Sequence, residues 1–209
     1  MATEASANTR SRGNTTTKRA NDDAEGGLFA GSTGALIGAA AAGVAVGLMA
    51  NLGRKVAVQA PTKLAGDWDQ ALAAEHAATL KLFDALQSTT EKNTTKRSML
   101  LTQLKHALAK HALQEENAVY PALRDAGQTE QADHLNHDHG YVKQYLYDLE
   151  NMPKKSPAFL TKVAEFRAAI EEHVGEEENT IFPTLKAKLS PEKNKALTAL
   201  MNKEGFKLA

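Results

Sequence analysis

The chain has 209 residues, and its 25 basic and 25 acidic residues cancel, so no basic excess points to a nucleic-acid surface. It has no cysteine, which excludes disulfides, zinc–thiolate sites, cysteine-ligated iron–sulfur clusters and thiol catalysis. Any metal must be held mainly by nitrogen and oxygen, and the length suits one ordinary domain plus an extension.

Residues 1–27 are rich in Ser, Thr, Asn, Gly and charge, the composition of a disordered tail. From Gly26 to Gly53 the chain runs 28 residues without a charge. That exceeds the ~18 apolar residues of a transmembrane candidate. Ala and Gly dominate, and a small residue recurs every fourth position at Gly27, Gly31, Ala35, Ala39, Gly43 and Gly47. This is the small-xxx-small register of closely packed membrane helices. Residues 28–53 therefore read as a hydrophobic segment and candidate transmembrane helix, with homo-oligomerisation through residues 28–52. A low-complexity linker, or a helix buried in an oligomer, is the alternative. The run is too long for a cleaved signal, whose apolar core is ~7–15 residues. Arg54, Lys55 and Lys63 outweigh Lys18 and Arg19 slightly, favouring membrane association with a cytoplasmic bundle. Without insertion the expectation is a cytoplasmic protein. Residues 54–66 read as a linker.

Four helical stripes come next. Asp67 caps the first, with Gln70 completing a variant capping box, and it runs Leu72, His76, Leu80, Phe83, Leu86. The second runs Leu101, Leu104, Leu108, His111, Glu115, Val119. The third, after Gly127, runs Ala132, Leu135, His139, Val142, Leu146, Leu149. The fourth has Ser156 as N-cap and Pro157 at the first position, then Phe159, Val163, Phe166, Ile170, His173, Glu177, Ile181. No strand pattern appears. The fold class is all-α: an antiparallel four-helix bundle over residues 67–190. Residues 191–209 form a short C-terminal helix that starts at Ser190-Pro191 and ends near Gly205.

The second and fourth stripes repeat one motif 62 residues apart. His111-Ala-Leu-Gln-Glu115-Glu116-Asn-Ala-Val-Tyr120-Pro121 matches His173-Val-Gly-Glu-Glu177-Glu178-Asn-Thr-Ile-Phe182-Pro183. Positions i and i+4 share a helix face, so each motif aims an imidazole and a carboxylate at one point. The first and third stripes add Glu75-His76 and Asp138-His139. His76, His111, Glu115, His139, His173 and Glu177 thus replace apolar residues on core-facing stripes. An unpaired buried carboxylate costs several kcal/mol, and a pair of cations removes that cost while using the imidazole lone pairs.

The other histidines fail this test. His106 and His134 lie about 140° around the helix from a proposed ligand, and His137 about 160°, so all three are assigned to the surface. Glu116 and Glu178 point away from the seam and read as solvated, or as partners standing behind the ligands. Tyr120 and Phe182 are roughly opposite the histidines on an ideal helix and are placed at the bundle end, where the prolines break or kink the chain.

These residues resemble the hemerythrin-like HHE cation-binding domain, over about residues 67–190. The resemblance implies a di-iron centre, with His76 and His111 on one iron and His139 and His173 on the other. Glu115 and Glu177 would bridge them beside an oxo or hydroxo group. Oxygen-carrying members add a histidine one turn from the third-helix ligand, where this chain has Leu135 and Lys143. A dedicated oxygen carrier is therefore disfavoured, and the broader group implies binding or sensing oxygen or nitric oxide, or handling iron.

Four histidines and two carboxylates differ from the carboxylate-rich Glu-x-x-His sites of ferritin-like bundles. Neutral nitrogen ligands suit reversible small-molecule binding better than oxygen activation. The expected partner is thus a diatomic ligand, oxygen or nitric oxide, and not a nucleic acid; an enzyme is less expected. Two other readings stand beside it. One is a di-iron enzyme with peroxidase-like or nitric-oxide-reducing activity, the other an iron-storage bundle with a self-associating membrane helix.

Overall fold

The computed structural model describes residues 49–209. The expectations for residues 1–27, and most of those for 28–53, lie outside the described residues. Among the described residues no helix is long and apolar enough to cross a membrane.

The described residues form helices and their links, without strands. Helix α1 is described over residues 49–64. The four long helices are α2 (Trp68–Gln87), α3 (Thr94–Gln114), α5 (Thr129–Asn151) and α6 (Ala158–Glu176). Two short helices, α4 (Tyr120–Asp125) and α7 (Phe182–Lys188), extend α3 and α6, and α8 (Pro191–Leu208) closes the chain. In the bundle α2 packs on α3 and α6, while α5 packs on α6 and α3. Tight links keep sequence neighbours antiparallel. At the α4–α5 link Gly127 has φ +76°, which lets Gln128 N–H reach Leu123 C=O at 2.8 Å and Gly127 N–H reach Arg124 C=O at 3.0 Å. That pair of bonds closes a helix end through a left-handed residue.

The helix starts reflect local chemistry. Asp67 N–H donates to Gln70 Oε1 at 3.2 Å, the return half of the capping box. Ser156 Oγ accepts from Ala158 N–H, so α6 begins one residue later than its Ser-Pro signal suggests. Ser190 Oγ accepts from Lys193 N–H at the head of α8.

Two expectations change. Residues 54–66 are helical through residue 64 rather than a linker. Arg54 donates to the Ala209 carbonyl at 2.9 Å, and Lys55 to those of Phe206 and Lys207 at 3.0 and 2.7 Å. Cations on the last carbonyls of α8 are favourable, and this docking outweighs the loop signals of Gly53 and Pro61. The C-terminal helix is also longer than expected, running 18 residues to Leu208. It buries Leu197 and Met201 in the core and packs on α2 and α3.

The core has two apolar parts. One gathers Trp68, Leu72, Val119, Leu123, Leu135, Ile181 and Leu185. The other gathers Phe83, Leu104, Leu149, Phe159, Phe166 and Ile170. Each large side chain buried in full contributes about 1.5–3 kcal/mol. In every bundle helix the ligand-type residue falls between the two parts in sequence: His76 after Leu72, His111 after Leu104, His139 after Leu135, His173 after Ile170. A polar layer therefore interrupts the middle of the bundle.

Candidate metal centre

The structure brings all six sequence-derived residues into that layer. His76, His111, His139 and His173 are 3–7% exposed, and Glu115 and Glu177 are fully buried. Glu115 stands between the two histidine pairs, with Oε1 3.1 Å from His111 Nε2 and Oε2 3.2 Å from His139 Nε2. Glu177 does the same from the other side: its Oε2 is 3.3 Å from His76 Nε2 and 3.5 Å from His173 Nε2. His76 Nε2 and His111 Nε2 are 2.9 Å apart. Donors about 2.1 Å from a shared cation and at right angles stand about 3 Å apart, so these spacings fit. Two buried groups of cation-holding atoms result, His76–His111–Glu115–Glu177 and Glu115–His139–His173, with Glu115 in both.

A ring of acids fixes the imidazoles. Nδ1 of His76 donates to Glu178 Oε1 at 2.8 Å, and Nδ1 of His111 to Glu75 Oε2 at 3.2 Å. Nδ1 of His139 donates to Glu116 Oε1 at 2.9 Å, and Nδ1 of His173 to Asp138 Oδ2 at 3.4 Å. Each helix thus orients a histidine on another, and every Nε2 faces inward as a ligand must. This gives a role to Glu116 and Glu178 behind the ligands. The sequence signal for the other two was the acid placed directly before His76 and His139.

Both repeated motifs pass through a π turn, Glu115–Val119 and Glu177–Ile181. Tyr120 N–H donates to Glu115 C=O, and Phe182 N–H to Glu177 C=O, each five residues back. Pro121 and Pro183 explain the turn, because a proline ring clashes with the carbonyl four residues earlier in a regular helix. The chain therefore widens instead of breaking. One extra residue in the turn also rotates the downstream side chains by roughly 100°. Tyr120, read as opposite the ligands, consequently swings its hydroxyl into the site, 3.0 Å from His139 Nε2 and 3.4 Å from Glu115 Oε2. Its repeat counterpart Phe182 stacks on His76, with centroids 6.2 Å apart.

The electrostatics describe a site waiting for positive charge. Neither oxygen of Glu177, nor Nε2 of His173, has a hydrogen-bond partner, and each such orphan costs about 1–3 kcal/mol. Burial, then the Glu115 charge, pushes the Glu177 carboxyl well above its ordinary range, so it holds a proton. Burial acts the same way on Glu115, but His111 and His139 overcome it and hold the carboxyl well below that range. Burial would lower His111, yet Glu115 and Glu75 raise it well above the usual imidazole value. Burial and then the His111 charge depress His76 to about 3, and burial lowers His173. Burial, with Glu115 and Glu177, raises the Tyr120 phenol, which stays a neutral donor. Glu115 and His111 are thus held toward a charge pair, and Glu177 toward its neutral form. Cations would take over both neutralising roles, so the donor set fits metal ions.

His106, His134 and His137 are exposed, as the sequence placed them. His134 nevertheless has company at the surface: its Nε2 lies 3.1 Å from Glu176 Oε2.

Comparison with known proteins agrees with this geometry. The model of the hemerythrin HHE cation-binding domain matches residues 69–185, more than half of the chain. An uncharacterized hemerythrin-like protein of Schizosaccharomyces pombe (strain 972) is 33% identical over 91 residues, 42% of this chain and 44% of that protein. The chain thus matches less than half the length of this relative.

Proposed function

The chain belongs to the hemerythrin HHE cation-binding family, and on that premise we propose that it is a non-haem di-iron protein that binds or senses oxygen or nitric oxide. His76 and His111 would hold one iron, His139 and His173 the other, and Glu115 and Glu177 would span both. When bound, the irons supply coordination of a small ligand and reversible one-electron chemistry.

The observation that carries the choice of ligand is a cavity of about 20 Å³ lined by all four histidines together with Thr79, Leu108, Val142, Ile170 and Val174. A single water needs about 10–15 Å³ on this scale, so the space admits a diatomic and refuses an organic substrate. Its aliphatic wall favours an apolar diatomic over water. The acids at each Nδ1 keep the rings aligned without approaching the ligand. The test is optical titration of the reduced, iron-loaded protein with oxygen and with nitric oxide. Reversible spectral change supports the proposal, and no change with either gas refutes it.

Turnover at the same centre is the second reading, and Tyr120 is the observation in its favour. Its hydroxyl is a neutral proton donor at the edge of the site. Steady-state consumption of peroxide or nitric oxide by the wild type, lost in Tyr120→Phe, would establish an enzyme. A membrane tether is the reading of the uncharged run 28–52. Exposed Met49, Leu52 and Val56 carry its apolar character onto α1, and retention of the chain in carbonate-washed membranes is the outcome that supports it.

A further inference from the structure

A second constellation of metal-type donors lies outside the core. His134, Asp138 and Glu176 offer ligand atoms within 4.8 Å of one another. His134 Nε2 is 3.1 Å from Glu176 Oε2 and 3.7 Å from Asp138 Oδ2. They rim a cleft of about 300 Å³ between α5 and α6, which also holds Glu172 and contains no Lys or Arg.

Three observations separate this cleft from an ordinary acidic surface. Its floor is His173, which is 7% exposed and meets the cleft through Nδ1 on Asp138. His173 and Val142 also line the four-histidine cavity, so they form the common wall between cleft and core. Asp138 joins the two sites directly, facing His134 on one side and Nδ1 of His173 on the other. Finally, the internal repeat shows what else could stand here. Glu172 and Glu176 correspond to Lys110 and Gln114 in the first motif. There Lys110 bonds Glu75 at 2.5 Å, and Gln114, in the amide orientation that satisfies its neighbours, bonds it at 2.8 Å. Where one half neutralises its acid, the other adds two more.

We infer that this cleft is the port through which metal enters, and that His134, Asp138 and Glu176 form a transient site for a divalent first-row cation, iron(II), on its way past Val142 to His173. The inference rests on the cation-binding reading of the core. An imidazole with carboxylates suits such an ion. Partial exposure keeps the site weak through solvent screening, as a relay requires. All six core residues are buried, and the cleft of about 220 Å³ on the α2–α3 side is lined by a single acid, Glu75, which Lys110 already pairs, so it offers an incoming cation no free carboxylate.

The test uses the double variant His134→Ala/Glu176→Gln, leaving Asp138 in place because it also holds His173. In the iron-loaded wild type, electron paramagnetic resonance should detect an additional weakly bound Mn²⁺ that the double variant lacks. Uptake of iron(II) by the metal-depleted chain should slow about tenfold in the variant, the low end of what charge steering supplies, and reach the same final iron content. Equal uptake rates, or an additional Mn²⁺ that survives the substitutions, would overturn the port. A lower final iron content in the variant would overturn it as well, since those residues would then build the core rather than feed it. Failure of the core reading shows separately, as a wild-type chain that takes up no iron, and that result removes the port's destination too.

Discussion

On the α2–α3 side of the site, Glu75 holds His111 and is itself enclosed: Lys110 and Thr62 bond its Oε1, each at 2.5 Å. His111 and Lys110 outweigh the effect of burial and keep that carboxyl ionised, down to about 2. On the α5–α6 side, Asp138 holds His173 from an open cleft, with Glu172, Glu176 and His134 beside it. The aromatic after each motif differs as well, a hydroxyl-bearing Tyr120 near His139 and a plain Phe182 over His76. The repeated His–Glu pairs give the two halves one set of donor atoms. The residues that differ between the repeats make the cleft of one half charge-paired, Lys110 on Glu75, and that of the other acid-rich. Symmetry of ligands and asymmetry of surroundings therefore have separate sequence origins, and each can be broken alone.

The two core carboxylates, Glu115 and Glu177, should give the largest effect. Glu115→Gln and Glu177→Gln should both abolish metal retention, but they should part company in the metal-free protein. Removing Glu115 strands the His111 charge in the core and should cost about 3–5 kcal/mol. Glu177→Gln removes a carboxyl that is already protonated and should leave metal-free stability nearly unchanged. Urea unfolding of the metal-free variants checks this, and equal losses would show that the two carboxylates are not in different states.

The second contrast lies between repeat-equivalent positions. Lys110→Met leaves Glu75 buried without its cation and should cost about 3 kcal/mol or more. Glu172→Gln, exposed on the other half, should stay within about 0.5 kcal/mol. Thermal unfolding measures both, and similar values would erase the distinction between the charge-paired and the acid-rich halves.

Third, His139→Ala should lose metal while His134→Ala and His137→Ala keep their final iron content, because only His139 lies in the buried layer. A metal-free His137→Ala protein would reverse the register of α5.

The pH dependence of loading stems from the raised groups. His111 and Glu177 hold protons above their ordinary ranges in the metal-free fold, and both must lose them to act as ligands. Metal affinity should therefore rise with pH across neutrality, with protons released on loading. Calorimetry in buffers of different ionisation enthalpy counts them, and zero release would contradict the assignment. A modest effect belongs to Tyr120→Phe. It leaves His139 Nε2 without a donor in the metal-free state and should cost about 1–2 kcal/mol, read by denaturant unfolding.

The bundle and the six buried donors were legible because periodicity and the doubled motif report directly on which residues share a face. Tyr120 was not, since extrapolating a regular helix past Glu115 ignores the extra residue that Pro121 brings with it. Lys110 was equally hidden: a lysine beside a ligand reads as solvated until α1 brings Thr62 over it. The segment 54–66 misled because its Gly and Pro signals are local, whereas its partner, the end of α8, lies about 150 residues away. A chain shortened to begin near Pro61 would discard Arg54, Lys55 and Gln59 and with them most of the α1–α8 contacts, so truncations should begin before residue 49.

Under the proposed function, one buried layer holds a pair of irons between two histidine pairs. Elemental analysis of the purified wild-type chain after iron-replete expression, together with its optical spectrum before and after reduction, tests this most directly. The expected result is a pair of iron ions per chain and near-ultraviolet absorption that disappears on reduction. A single zinc with no iron and a featureless spectrum would contradict it.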